Sequence, residues 1–434
     1  MHAGRIMTSR STELLFRRAA AGFVCTIAAC GVVASAHAQA GDPPADIPAA
    51  IQAGTPIIEL RPRIESVDQA GRTNEGEAFT LRTKLGWQTA VWEGLQATVE
   101  FEDVRQLGSE KYDTTLNGKT TYGQIFDPDV TELNRAQIVW TPASEYTLTL
   151  GRQRINLEDQ RFIGGVAWRQ DEQTFDAARI DADYGRFDVT YIWIAHVNRI
   201  FGEAQDWNSD SHIVHASYAF AEPLKLTGFS YALNFTEPET AGVRNQSNHT
   251  YGLKVSGKTW LEDFKLDYAA TIAQQKEYGE SLLDYELDYV SAEATLTWEE
   301  FAGRLNYEAF DGNGARGFAT PLATLHAFNG WSDAFIANGV KTTVDGLEDA
   351  NATFTWSPRW RWDNLFNLAF TVRYHDFSAQ RTSADLGREW DLQATGAVTP
   401  QLSWILKFAD YDGPGIAPAP ADRTKMWFGV EFKL

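Results

Sequence analysis

The sequence contains little cysteine, no long apolar run after its first 36 residues, and neither of two common catalytic motifs. Its two cysteines, Cys25 and Cys30, both lie near the start, which argues against a disulfide framework. Without a later apolar run of 18 residues, no membrane-spanning helix is expected. Neither G-x-S-x-G nor H-E-x-x-H occurs, so we expect no enzymatic activity, catalytic residue, metal site or cofactor. The formal net charge of −20 argues against nucleic-acid binding.

The first 38 residues have the layout of a secretory signal peptide. A basic region precedes an apolar stretch that runs to about residue 36, followed by an A-x-A cleavage site that ends at Ala38. A lipoprotein cleavage box ending at Cys30 is a weaker alternative. Cleavage after Ala38 removes four Arg and one Glu and changes the net charge from −20 to −23. We expect residues 39–55 to form a loose periplasmic lead-in. The basic residues are Arg5, Arg10, Arg17 and Arg18.

Apolar and polar residues alternate along 18 segments, which predicts β-strands. Phe264–Ile272, for example, places Phe, Leu, Tyr, Ala and Ile on one face and Lys, Asp, Ala and Thr on the other. Most segments have the length that a tilted strand needs to cross a membrane, and the number is that of a porin. The predicted fold class is therefore all-β, a closed antiparallel transmembrane barrel of 18 strands over residues 56–434. The segments are 56–65, 79–88, 95–104, 131–140, 146–154, 174–184, 187–196, 212–220, 224–235, 249–258, 264–275, 287–298, 301–310, 347–356, 367–377, 388–398, 402–411 and 425–434.

The connections between these segments alternate in length. Those after segments 2, 4, 6, 8, 12 and 16 are tight, and those after segments 3, 5, 7 and 13 are long, the longest covering residues 311–346. Short periplasmic turns and long extracellular loops are typical of the outer membrane, where we expect this chain to contact lipid. The alternation continues to the last residue, as in the closing strand that barrel-assembly machinery recognises. A soluble sandwich or propeller is the alternative, but no domain boundary is visible.

Alternation also predicts which side chains face the lumen. Positive charges interleaved with carboxylates concentrate in the first six segments, and Arg373 adds to them from segment 15. A ring of Arg and Lys lowers the barrier for anions in a pore, and guanidinium groups bind carboxylates in bidentate fashion. The alternative is that these pairs only fill the lumen and brace the barrel wall. The candidate pore-lining residues from this pattern are Arg61, Arg63, Arg82, Lys84, Glu100, Glu102, Arg135, Arg179, Asp181 and Arg373.

The stretch 151–170 breaks the alternation and supplies three further pore candidates. Strict alternation would turn Arg152 and Arg154 into lipid, which is costly. A β-bulge at Gly151 would turn both inward, and a strand that has already left the membrane is the alternative. The residues that follow carry Arg161 and paired glycines. We expect this stretch to fold into the barrel as a constriction, with an ordinary exposed loop as the alternative.

Several motifs resemble the alginate-export family of outer-membrane barrels. They are Leu133–Ala136 (LNRA), Leu148–Arg154 (LTLGRQR), Arg161–Gly164 (RFIG) and Trp168–Ala177 (WRQDEQTFDA), and the loop Phe318–Trp331 is also similar. The resemblance spans most of the chain after the signal peptide. It implies an 18-stranded barrel with an arginine-lined, electropositive constriction that passes a uronate polymer. The residues it implies for that pore are Arg135, Arg152, Arg154 and Arg179.

These features predict an outer-membrane channel that passes an anionic polysaccharide, such as an alginate-like uronate polymer. A substrate-specific porin for small organic anions or oligouronates is the alternative. An outer-membrane enzyme would need a Ser or His constellation near the rim, and none stands out. A structural or adhesive barrel would be favoured by a plugged lumen.

Overall fold

The computed structural model describes residues 43–237, 240–337, 340–360 and 365–434, and the predicted signal peptide lies outside them. The elements are helices α1 (Ile47–Gln52) and α2 (Ala241–Arg244) and strands β1 (Thr55–Gln69), β2 (Gly76–Gln88), β3 (Leu95–Gln106), β4 (Val130–Ala143), β5 (Tyr146–Gln153), β6 (Thr174–Asp183), β7 (Phe187–Asn198), β8 (Trp207–Ala221), β9 (Leu224–Leu233), β10 (Asn248–Leu261), β11 (Phe264–Glu277), β12 (Glu286–Trp298), β13 (Phe301–Phe310), β14 (Ile336–Ala337), β15 (Val340–Lys341), β16 (Leu347–Trp356), β17 (Phe366–Ser378), β18 (Asp385–Thr399), β19 (Leu402–Asp412) and β20 (Arg423–Lys433).

Eighteen of these strands form one closed antiparallel barrel. Each strand pairs with its neighbours along the chain, β13 pairs with β16, and β1 pairs with β20 to close the sheet. The strands β14 and β15 form a separate two-residue hairpin within the β13–β16 connection. Every predicted segment coincides with one barrel strand, so the predicted fold class is confirmed.

The outer face of the barrel is apolar and the inner face is charged. Leu305, Leu150 and Ile272 are 69%, 64% and 59% exposed, whereas Glu102 and Glu389 are fully buried inside. This distribution of apolar and charged side chains is the reverse of that in a soluble protein, as expected for a barrel whose outer face contacts lipid. None of the helices in the described parts of the chain is long and apolar enough to cross a membrane.

Exposed aromatic side chains surround the end of the barrel that carries the short connections. Such girdles lie at membrane–water interfaces, where an amphipathic ring is stable. At this end the connections include Ser144–Glu145, Glu222–Pro223 and Glu262–Asp263. The aromatic residues next to the short connections are Trp140, Tyr146, Tyr184, Phe187, Phe220, Trp260, Phe264, Trp298 and Phe301.

The long connections at the other end fold inward and create a core inside the lumen. Two of them are central to the site, namely residues 154–173, called the lumen segment, and residues 311–346, called the long loop. Phe162 of the lumen segment packs against Phe229 at 5.3 Å and Tyr289 at 5.4 Å between ring centroids. Ile163 is fully buried in the same cluster and forms a parallel bridge with Leu322 of the long loop.

Candidate functional site

The lumen segment is hydrogen-bonded to the wall formed by β1, β2 and β3. Arg61 donates through Nε to Gln170 Oε1 at 2.9 Å and through Nη1 to the Ala167 carbonyl at 2.9 Å. Gln170 in turn donates to Thr80 Oγ1 at 2.8 Å. These bonds join residues about one hundred positions apart and fix the segment inside the barrel. The position of the lumen segment inside the barrel agrees with the prediction that residues 151–170 fold inward.

Arg161 attaches the lumen segment to a different part of the wall. Its Nε lies 2.6 Å from Glu308 Oε1, on β13, and its Nη2 lies 3.0 Å from Asn329 Oδ1. The guanidinium also lies over the Phe310 ring at 4.4 Å. The Arg161 side chain is only 2% exposed. The lumen segment therefore extends from β13 to the wall of β1–β3.

The long loop lies beside the lumen segment and bonds to it directly. Gly164 donates its N–H to the Leu322 carbonyl at 2.8 Å, and Thr324 donates to the Gln160 carbonyl at 3.1 Å. The indole of Trp168 stacks on the imidazole of His326, with centroids 4.5 Å apart and planes within 4°. The two stretches thus form one constriction rather than two independent loops.

The long loop is attached in turn to β18 and β20. Ser332 donates its backbone N–H and its hydroxyl to the two carboxylate oxygens of Glu389, both at 2.6 Å. Asp333 pairs with Lys425 at 3.3 Å, and Arg423 donates to the Asp333 carbonyl at 2.9 Å. The constriction is therefore attached to walls on several sides of the lumen.

A network of ion pairs joins the predicted residues of β2, β3 and β4 to the lumen segment. Lys84 lies 2.7 Å from Glu102, and Arg154 bonds Glu100 at 3.1 Å. Arg135 bonds the other oxygen of Glu100 at 2.6 Å. The structure thus brings these five sequence-predicted residues together. Both Lys84 and Arg154 also pair with Glu172 of the lumen segment.

Asn134 belongs to the same network, although the sequence pattern did not single it out. A register shift between β3 and β4 leaves Asn134 as an extra residue between the partners of Glu100 and Phe101. Because of this bulge, Asn134 and Arg135 both reach Glu100, with Asn134 Nδ2 at 2.8 Å from Oε1. Strict alternation cannot place two consecutive side chains inward, which is why Asn134 was missed.

Two adjacent acids of the lumen segment have opposite electrostatic environments. Burial opposes the ionisation of Glu172, but Lys84 and Arg154 outweigh it and hold its pKa well below the usual range. Burial raises the pKa of Asp171 well above its usual range, and the nearby carboxylates of Glu132 and Glu102 raise it further. Neither carboxylate oxygen of Asp171 has a hydrogen-bond partner in the described chain. The protonated form of Asp171 therefore fits this position.

Three other predicted arginines also have their charge neutralised at short range. Arg63 pairs with Asp127, Arg82 pairs with Glu59 and Glu431, and Arg179 lies 2.7 Å from Asp181. The Arg179–Asp181 pair stands apart from the network around Glu100. These pairs support the bracing role that sequence reasoning kept as an alternative.

The predicted bulge at Gly151 is absent, and the expectation that Arg152 turns inward is wrong. The register of β5 with β4 and β6 continues through Gly151, so Arg152 stays on the face of Leu150. There it forms a bidentate pair with Asp176 at 2.7 and 3.0 Å. A glycine is needed at 151 because φ is +109° and a Cβ would approach the Ala136 carbonyl to 2.2 Å. By contrast, Arg154 follows the end of β5 and does reach the lumen.

Two predicted arginines keep a charge that no carboxylate neutralises within ion-pair distance in the described chain. Arg61 bonds only the amide of Gln170 and backbone carbonyls. Arg373 bonds Thr353 Oγ1 at 3.0 Å and the Ala327 carbonyl of the long loop at 3.4 Å. Both side chains are partly exposed. Each guanidinium therefore meets one of the two inward stretches while retaining its charge.

Sequence reasoning missed two further cations on the same part of the wall. Lys407 of β19 donates to His326 Nε2 at 2.8 Å and lies 3.7 Å from the centre of the Trp331 ring. Arg423 of β20 donates only to backbone carbonyls of the long loop. The strands β17, β18, β19, β20 and β1 are consecutive neighbours, so these cations share one wall with Arg61 and Arg373. Their inward faces were readable from alternation, but their lack of carboxylate partners was not.

One stretch matches a phosphate-binding motif in sequence but does not form a phosphate-binding site. Gly252–Thr259 has the letters of a phosphate-binding loop, G-x-x-x-x-G-K-T, but it lies inside β10. Its backbone groups belong to the ladders with β9 and β11 and do not form a cradle. In the described residues, no group of His, Cys, Asp and Glu side chains is arranged to hold a metal ion.

Solved structures with the same fold come from outer-membrane proteins. Acinetobacter baumannii OccAB4 superposes with a TM-score of 0.68 at 12% identity, covering 88% of this chain and 98% of that one. Pseudomonas aeruginosa OpdK with vanillate gives 0.65 at 12%, covering 88% and 99%. Pseudomonas aeruginosa OccK2 (OpdF) in complex with glucuronate gives 0.64 at 12%, covering 87% and 98%. At such low identity these likenesses show the fold alone.

The fold and the family comparison together define the class of protein. Residues 57–305 match the family model described as alginate export. No curated protein matches the sequence. The 18-stranded barrel with its apolar outer face, taken together with this family match and these structural neighbours, is an outer-membrane channel. Because the matched region is more than half of the chain, the protein belongs to the alginate export family.

Proposed function

We propose that this channel passes anionic sugar acids, and that unpaired cations beside the constriction select them. The observation that carries the proposal is the pair Arg61 and Arg373, partly exposed and each bonded to an inward stretch but to no carboxylate. A fixed positive charge beside a narrow passage lowers the barrier for anions and raises it for cations. The eight other predicted cations are matched by carboxylates. Among them Lys84, Arg154 and Arg161 hold the constriction in place.

Small uronates are the first candidate solute, because two bonded stretches of the chain occupy part of the lumen. The lumen segment and the long loop are bonded to each other and to the walls, so a solute passes beside them. The structures of OccK2 with glucuronate and OpdK with vanillate have the same fold and hold small carboxylates. A uronate polymer is the second candidate, favoured by membership of the alginate export family, and its passage would require the two stretches to move aside.

Reversal potentials in planar bilayers under a salt gradient test the selectivity. We expect anion preference in the parent protein and a weaker preference in Arg61→Gln and Arg373→Gln. The matched control is the double variant Arg179→Gln/Asp181→Asn, which removes a bonded ion pair without changing net charge. Cation preference in the parent, or equal effects in the control, would contradict the proposal. Current block by uronates of increasing length then separates the candidates, because only a polymer channel should let long chains through.

A further inference from the structure

A large cavity lies above the constriction, at the end of the barrel that carries the long connections. Its volume is about 970 Å³, at the upper end of the range of about 300–1,000 Å³ typical of small-molecule sites. Its lining comes from the connections that follow β3, β5, β7, β9, β11 and β13. None of the residues predicted from alternation in the first six strands lines it. The cavity therefore lies apart from those wall residues, while the lumen segment and the long loop contribute to its lining, so a solute can be held there beside the constriction.

Arg199 is a buried cation that lines this cavity without an anionic partner. It directly follows β7 and is only 7% exposed, yet its Nη1 is buried without a hydrogen-bond partner and its guanidinium makes no ion pair in the described chain. The guanidinium lies over the indole of Trp207 at 3.8 Å. Burial lowers the pKa of Arg199 to about 10, while the charge of Asp206 opposes this, so the side chain stays cationic at neutral pH. An unpaired buried charge is costly, and a bound anion would relieve that cost.

Arg316 presents a second unsatisfied guanidinium to the same cavity. It belongs to the long loop, and its Nε and Nη2 are buried without a hydrogen-bond partner. The group lies over the Tyr285 ring at 4.7 Å. No carboxylate lies within ion-pair distance of it in the described chain. Arg199 and Arg316 are thus both held by an aromatic face while their donors remain free.

The other charged residues of the lining do not neutralise these two arginines. Arg169 is engaged with Glu65 at 3.3 Å, and Asp333 with Lys425. Asp284 also lines the cavity, is exposed, and makes no ion pair in the described chain. Beside the charges, the partly exposed rings of Phe126 and Phe201 meet edge to face with centroids 6.1 Å apart. The cavity therefore combines free guanidinium donors with an apolar aromatic surface.

We propose that Arg199 and Arg316 form a capture site for the carboxylate of a sugar acid entering from outside the cell. Guanidinium groups recognise carboxylates through paired N–H donors, and the aromatic pair offers a surface for the apolar face of a pyranose ring. The site deepens the proposed function and rests on it. Its occupant is a monomeric uronate or the end unit of a uronate chain. Capture here raises the local concentration of substrate above the constriction.

Asymmetric current block with sodium glucuronate tests the site. Glucuronate added on the side of the long connections should block the parent channel at low concentration. The Arg199→Gln and Arg316→Gln variants should each require a glucuronate concentration at least about tenfold higher for the same block, because one charge-assisted contact is lost. Arg381→Gln is the matched control. It removes a cation at the same end of the barrel, but one already paired with Asp345 at 2.8 Å, and should stay close to the parent. Arg199→Lys keeps the charge without the fork and should fall between.

The outcomes separate this inference from the proposed function. Heat-modifiability on gels confirms that each variant barrel is folded. If the parent prefers anions but both glutamine variants keep the affinity of Arg381→Gln, the capture site is refuted while the channel function stands. Block by glucose equal to that by glucuronate also refutes it, since glucose has no carboxylate. A glucuronate chain that blocks as strongly as the monomer, from the same side and with the same dependence on Arg199, supports capture of a chain end.

Discussion

The ion pair between Arg161 and Glu308 offers the sharpest test of whether the constriction sets the conductance. Arg161 Nε and Nη2 lie 2.6 and 3.3 Å from the two oxygens of Glu308, and both side chains are at least 95% buried. Replacing Arg161 with Met keeps a long apolar side chain beside Phe310 but removes the charge. Glu308 then remains buried, with the Tyr289 hydroxyl at 2.7 Å and the Asn329 amide at 2.8 Å as its remaining donors.

The expected size of the effect follows from these contacts. Removing one partner of a buried ion pair costs about 3–5 kcal/mol, because the other charge is left without compensation. Two neutral donors still reach Glu308, so we place the cost near the lower end, about 3 kcal/mol. Since about 1.4 kcal/mol changes an equilibrium tenfold, the balance between the seated and the released lumen segment should shift about a hundredfold toward release. The contacts of Arg61 and Gln170 still hold the other end of the segment.

Single-channel recording measures this shift directly. Arg161→Met and Glu308→Gln should each show larger or more frequent excursions to high conductance than the parent. The double variant Arg161→Met/Glu308→Leu should lie closer to the parent, because no buried charge is left unpaired. If the folded single variants give traces indistinguishable from those of the parent, the attachment of the lumen segment at Glu308 does not control the current. That result would contradict the proposed role of the constriction in setting the conductance.

Three further predictions concern the lumen segment and the pH dependence of two buried acids, one in that segment and one bonded to it. Deleting Asn156–Val166 should raise the conductance for cations and anions alike, as measured in bilayers, by removing an obstruction; unchanged currents would refute a constricting role. Because the raised pKa of Asp171 means that its stabilising protonated form is lost as pH rises, Asp171→Asn should reduce the fall in unfolding temperature between pH 5 and pH 8 in detergent. For Asp127, burial is outweighed by Arg63 and Arg169 and the pKa falls to about 2, so its stabilisation is present above its usual pKa and disappears in acid. Asp127→Asn should therefore lower the unfolding temperature at neutral pH, and equal behaviour of the two variants would contradict both assignments.

The wall of the barrel could be predicted because its sequence signal is local. Each strand alternates apolar and polar residues, and this alternation is visible within the strand itself, without knowledge of the strands that pair with it. In β3, for instance, Phe101 is 54% exposed while Glu100 and Glu102 are 1% and 0% exposed, as the alternation requires. The signal fails only where the backbone departs from strict pairing, as at Asn134, because an extra residue in one strand leaves no mark in composition.

The interior could not be predicted to the same depth because its contacts are distant in sequence. The inward fold of residues 151–170 was expected from glycines and arginines, but the partners of the lumen segment lie on β1, β2, β3 and β13. The bond from Arg61 to Ala167 joins residues 106 positions apart. Whether a lumen arginine keeps a free charge depends on which carboxylate reaches it through three dimensions. Arg199 and Arg316 were missed for this reason, since nothing near them in the sequence marks them as unpaired.

Pairing also makes a net charge of −20 compatible with the proposed passage of anions. At physiological salt a charge is screened over about 8 Å, so a solute in the lumen responds to the groups nearest its path and not to the total. Along the wall, carboxylates such as Glu100, Glu308 and Asp127 are paired with arginines. Because the positive guanidinium compensates the negative charge, such a carboxylate repels a passing anion only weakly. Arg61 and Arg373 have no such partner, and under the proposed function their charges attract anions beside the constriction. Under the proposed function, the paired carboxylates hold the arginines beside the passage, and the arginines without carboxylate partners select the solutes that enter it.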